Sequence, residues 1–91
     1  MTNPTTPDHP DLLAPLVACY RELTEYSFPT VLAVRPDLVD QIRDLGTRLC
    51  MRGGMAAMAD ASVHVHRETG DRHATGYHFN RLWDGIGPWR A

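Results

Sequence analysis

The chain has 91 residues, a formal net charge of −2 and 43% hydrophobic residues, a composition typical of one small globular domain. Its nine basic residues are all arginines scattered among acidic residues. Nucleic-acid binding is therefore unfavoured, because the sequence has no basic stripe. No apolar run approaches the roughly 20 residues that a membrane-spanning helix needs, so we expect no membrane partner.

Residues 1–10, MTNPTTPDHP, are rich in proline and threonine and predict an irregular N-terminal arm. They lack the basic and apolar regions of a secretory signal, so we expect a cytoplasmic protein. Residues 11–91 are predicted to form a single small domain. The complete absence of lysine suggests a GC-rich genome, such as that of an actinobacterium or one of its phages.

A first amphipathic helix is predicted over about residues 11–26. Leu12, Leu16, Cys19 and Leu23 recur at helical spacing and define its apolar face. Pro15 interrupts the pattern, so either the regular helix starts there or its first turn is bent.

Residues 31–34 form a short β-prone run between two prolines. This pattern predicts a short strand or an extended connector, and a helical turn is the alternative.

A second helix is predicted to begin at Pro36, since proline is favoured in the first helical turn. Its apolar positions are Leu38, Ile42, Leu45 and Leu49. Gly53 and Gly54 are expected to end this helix. Gly46 lies inside it at a cost of up to about 1 kcal/mol, which suggests a close approach by another backbone.

Cys19 and Cys50 fall on the two predicted helices and have no CxxC spacing. We expect both thiols to be reduced and partly buried. A disulfide between the two helices remains an alternative that spacing alone does not decide.

The fold class depends on residues 55–80. Residues 55–61, MAAMADA, suit either a helix or the approach to a strand, whereas Gly70-Asp71 is a two-residue turn signal typical of a β-hairpin. We therefore predict an α+β fold, with two helices, a C-terminal hairpin and an aromatic tail. The alternative is an all-α helical hairpin in which residues 55–66 form a third helix.

Four of the five histidines lie in the segment 63–80. In the predicted hairpin, His64, His66, Glu68 and His73 share one face, and Glu68 lies directly opposite His73. Imidazole and carboxylate groups are common zinc ligands. This face is therefore the candidate metal site, with zinc as the alternative to having no cofactor.

Aromatic and apolar residues dominate the C-terminal segment, and they are the candidate partner-binding residues: Tyr77, Phe79, Trp83, Ile86 and Trp89. One interpretation is a tail that folds over the chain's own core. The other is a docking tail whose aromatic side chains fill pockets on another protein.

No catalytic motif is present, and the glycines after Arg52 lack the lysine and spacing of a phosphate-binding loop. We therefore predict a non-enzymatic accessory, regulatory or structural subunit that binds a protein, either another copy or a different chain, in an oligomer or larger complex. The alternative is a zinc or iron protein, or a small metalloenzyme, that uses the histidines. A DNA-binding regulator ranks third.

Overall fold

A computed structural model describes residues 9–71 and 78–89. Within these two ranges the chain forms helices and no strand: α1 (Pro10–Leu23), α2 (Phe28–Val34), α3 (Pro36–Thr69) and α4 (Phe79–Leu82). The predicted α+β class is therefore wrong, and the fold fits the all-α alternative. None of the described helices combines the length and the apolar character that crossing a membrane would require.

Helix α1 follows the predicted apolar face but is shorter than expected, because it begins at Pro10 and ends at Leu23. Leu12, Leu16 and Leu23 are buried along that face, and Pro15 lies inside the helix. The N–H of Thr24 closes the last turn by donating to the Tyr20 carbonyl at 3.0 Å.

Helix α2 replaces the predicted strand at residues 31–34. The two prolines that bound this run start helices instead of flanking a strand. Pro29 lies in the first turn of α2, and Pro36 begins α3. Since neither position needs a backbone N–H donor for the helix ladder, proline is well suited to both.

Helix α3 begins at Pro36 as predicted but runs on to Thr69. It is interrupted at Gly54, whose φ of 64° and ψ of −152° are not helical. The predicted helix end at Gly53-Gly54 is thus only an interruption at Gly54, because the chain resumes a helix directly after it. We call residues 36–53 the first half of α3 and residues 55–69 the second half.

The second half of α3 occupies the position of the predicted first hairpin strand. Met58, Ala61 and Val65 are buried at spacings of three and four, which is the period of a helix. The same segment also contains the alternation of Val63 and Val65 that predicted a strand. Alanine at residues 56, 57, 59 and 61 further favours the helix. The predicted second strand lies largely at residues 72–77, outside the described residues.

Gly70 ends α3 instead of forming a hairpin turn. Its φ of 73° and ψ of 8° are left-handed, and its N–H donates to the His66 carbonyl at 2.8 Å. This is the common way for a helix to end at glycine. The same residue type thus signals both a hairpin turn and a helix end, and the helical period before it decides which one forms.

The core lies where α1 packs across α3 and the C-terminal segment closes over both helices. Gly46 makes room for the indole of Trp83, because a Cβ at this position would overlap the ring. The Trp83 indole N–H donates to the Ile42 carbonyl at 2.9 Å. The predicted close approach at Gly46 is therefore real, but an indole makes it and not a second backbone.

The two cysteines are free thiols in the structure. Cys19 is buried on the inner face of α1, and burial raises the pKa of its thiol. Cys50 is half-buried on α3 near Gly87. A thiol that is buried among apolar side chains acts mainly as a small apolar residue.

Candidate functional site

The predicted partner-binding residues of the C-terminal segment lie in the core. Exposed fractions are 0% for Phe79, 0% for Trp83, 8% for Ile86 and 5% for Trp89. The Phe79 and Trp83 rings are 4.4 Å apart, and Trp89 meets Trp83 edge-on at 5.3 Å. Tyr77 lies outside the described residues. That this segment binds a partner stays a prediction, now one that requires these side chains to leave the core.

The described candidate metal ligands, His64, His66 and Glu68, do not all share one face of α3. His64 and His66 are two positions apart on a helix, so their side chains are separated by about 200° around its axis. Glu68 lies one turn beyond His64, and His73 lies outside the described residues. Within residues 9–71 and 78–89, no three histidine, cysteine or acidic side chains are placed to hold a metal ion. The zinc site stays a prediction. The strand geometry on which it was based is absent from the described residues.

A polar cluster that the sequence analysis missed joins α1 to the start of α4. The buried Tyr20 hydroxyl donates to Asp71 Oδ2 at 2.7 Å and lies 2.6 Å from His78 Nδ1. Burial, followed by the hydrogen bond to Asp71, raises the pKa of this phenol. Because Tyr20 is fully buried, we interpret the cluster as a structural link. Only its tertiary contacts reveal it, since the partners are 51 and 58 residues apart in the sequence.

A groove lies between the start of α1 and α3. It encloses about 410 Å³ and opens to solvent along one side. Leu13 and Leu49 contribute apolar side chains, together with Ala57 and Ala61 from the second half of α3. A second depression of about 400 Å³ adjoins it along α1 and shares Leu13 and His64 with it. This volume is within the range of surface clefts that bind ligands or partner side chains.

Small residues create the groove. Gly53, Ala56 and Ala57 line it where larger side chains would fill the space between the helices. His9 closes one end from the start of α1, where its φ of 58° is the only left-handed non-glycine conformation in the described chain. The sequence analysis missed this surface, because the run MAAMADA was interpreted only as a helix or the approach to a strand and nothing local marked His9.

Four polar side chains line the groove: His9, Asp60, His64 and Arg67. Within the described part of the chain, none of the four makes a side-chain hydrogen bond or ion pair. Arg67 is distinctive in this respect, because every other described arginine side chain has a partner. Those partnered arginines are Arg21, Arg35, Arg43, Arg48, Arg52 and Arg81.

Comparison with protein-family models, with curated proteins and with solved structures found no match for this chain. The functional conclusion therefore depends on the geometry of the chain itself.

Proposed function

We propose that this protein is a non-enzymatic accessory or structural subunit that acts by binding another protein chain. We further propose that it binds through the groove side of α3. The observation that carries the proposal is the groove itself. There apolar and small side chains lie beside polar side chains of both signs that have no partner among the described residues.

Exposed apolar side chains next to the groove support a protein partner. Val63 lines the groove and is 39% exposed, and Met55, which directly precedes the groove residue Ala56, is 43% exposed. Methionine is flexible and polarisable, so it packs well against surfaces of varied shape. An apolar centre with a polar rim is the usual composition of a protein-binding surface.

The burial of the aromatic residues supports the same choice of surface. Trp83 and Trp89 stabilise the chain's own core, so their size does not indicate a docking tail. One face of the second half of α3 instead presents Asp60, Val63 and Arg67 to solvent without unfolding any part of the chain.

Site-specific photo-crosslinking in the native host tests the proposal. A benzophenone amino acid replaces Ala56, which is exposed in the groove wall, or Gln41, which is exposed on the first half of α3. We expect a defined protein adduct from position 56 and none from position 41, identified by mass spectrometry. No protein adduct from position 56, or the same adducts from both positions, would contradict the proposal.

A further inference from the structure

One row of exposed side chains runs along the second half of α3. Ala56, Asp60, Val63 and Arg67 are spaced by four, three and four residues, so they lie along one stripe of the helix. All four are exposed, and all four line the groove. We call these four residues the α3 stripe.

The charges of the α3 stripe are complementary to a second copy of itself. Asp60 and Arg67 are two turns apart, about 10 Å along the helix, with Val63 between them. When two such stripes meet antiparallel about a two-fold axis near Val63, Asp60 of each copy faces Arg67 of the other. A two-fold contact uses the same patch on both subunits, so one pair of opposite charges supplies two intermolecular ion pairs.

The apolar part of the surface fits the same arrangement. A two-fold axis near Val63 brings the two Val63 side chains together at the centre of the contact, and Val63 is 39% exposed in the single chain. Because Ala56 and Ala57 have small side chains, two helices can approach closely at this point. We infer that the α3 stripe is a two-fold self-association surface, on which Asp60 of one copy pairs with Arg67 of the other.

The contact is expected to be weak. The stripe spans residues 56–67, about 17 Å of helix, which is short for a standard interface of about 1,600 Å². Solvent-exposed ion pairs contribute little to affinity and chiefly set orientation, whereas like charges placed opposite each other oppose binding. The dimer should therefore form at high micromolar concentration and be sensitive to the sign of the two charges.

Sedimentation velocity with charge-exchange variants tests the inference. Asp60→Arg and Arg67→Asp each place like charges across the axis, so each variant alone should dimerise at least about tenfold more weakly than the wild type. An equimolar mixture of the two variants restores opposite charges and should form a heterodimer. The double variant Asp60→Arg/Arg67→Asp should regain self-association.

Matched controls come from the first half of α3. Asp44→Arg and Arg48→Asp make the same changes of charge on an exposed face outside the groove, and should leave self-association at the wild-type level. Circular dichroism checks that each variant is folded. A wild type that stays monomeric at the highest concentration, single variants that dimerise normally, or a mixture that does not associate would each overturn the inference.

The inference rests on the proposed function, but the two can fail separately. Photo-crosslinking from position 56 to a different protein, with a monomeric wild type, would overturn self-association and leave the proposed function intact. An adduct with a second copy, lost in Arg67→Asp and unchanged in Arg48→Asp, would support both.

Discussion

At the scale of single residues, glycine at position 46 is explained by a side chain 37 positions away in the sequence. Gly46 is buried in the first half of α3, and the indole of Trp83 occupies the space beside it. Helical spacing around Gly46 predicted a close approach. The approach was expected from another backbone and is made by an indole, because the helix pattern carries no information on which group packs against it.

Gly46→Ala should destabilise the protein even though alanine is the better helix former. Alanine gains up to about 1 kcal/mol in helix propensity. Forcing a methyl group against a packed ring typically costs about 1–3 kcal/mol, and displacement of the indole would also disturb its hydrogen bond to the Ile42 carbonyl. We expect net destabilisation in urea unfolding, together with a red shift of tryptophan fluorescence.

The adjacent exposed residue supplies the control. Thr47→Ala changes a side chain whose hydroxyl donates to the Arg43 carbonyl on the helix surface, so stability should change little. A Gly46→Ala variant that is more stable than the wild type, with unchanged fluorescence, would show that the indole does not occupy this space.

At the scale of elements, helices α1 and α3 were predicted where apolar residues recur at spacings of three and four. Pro36 was correctly predicted to begin α3, because proline is favoured in the first turn of a helix. Residues 62–69 were assigned to a strand, because the alternation of Val63 and Val65 satisfies a strand pattern as well, and residues 55–61 were left open between helix and strand. Tertiary burial of Met58, Ala61 and Val65 favours the helix, and sequence periodicity does not measure that burial.

The break at Gly54 predicts that a substitution there lowers the free energy of unfolding. Its φ of 64° and ψ of −152° belong to a region that is essentially restricted to glycine. No atom outside its immediate neighbours lies within 4 Å of the place of a Cβ, so a substitution meets backbone strain and no clash. Gly54→Ala should therefore cost about 1–3 kcal/mol in urea unfolding.

Gly70→Ala is the comparison, because Gly70 has an ordinary left-handed conformation at the end of α3, where alanine costs about 1–2 kcal/mol. If α3 were instead continuous through residue 54, Gly54→Ala would stabilise the protein by up to about 1 kcal/mol. A gain in stability would thus contradict the break.

At the scale of the whole molecule, the sequence alone does not distinguish the residues that build the core from the residues that are exposed and able to bind a partner. The large aromatic side chains attract attention as binding residues, yet Phe79, Trp83 and Trp89 fill the centre of a small core. The groove is made largely by alanine and glycine, which sequence patterns do not mark as functional. His9 and Arg67 come together there from distant positions, so only the packing of α1 on α3 reveals the site.

The central claim is that the α3 stripe contacts a second copy of the chain while the aromatic segment stays inside the core. The most direct measurement is a dilution series of the ¹⁵N-labelled protein by nuclear magnetic resonance, from millimolar to micromolar concentration. We predict concentration-dependent shifts of backbone amides at residues 56–67, with unchanged indole signals of Trp83 and Trp89. Indole shifts accompanied by constant amide signals at residues 56–67 would contradict the claim and return the binding role to the aromatic segment.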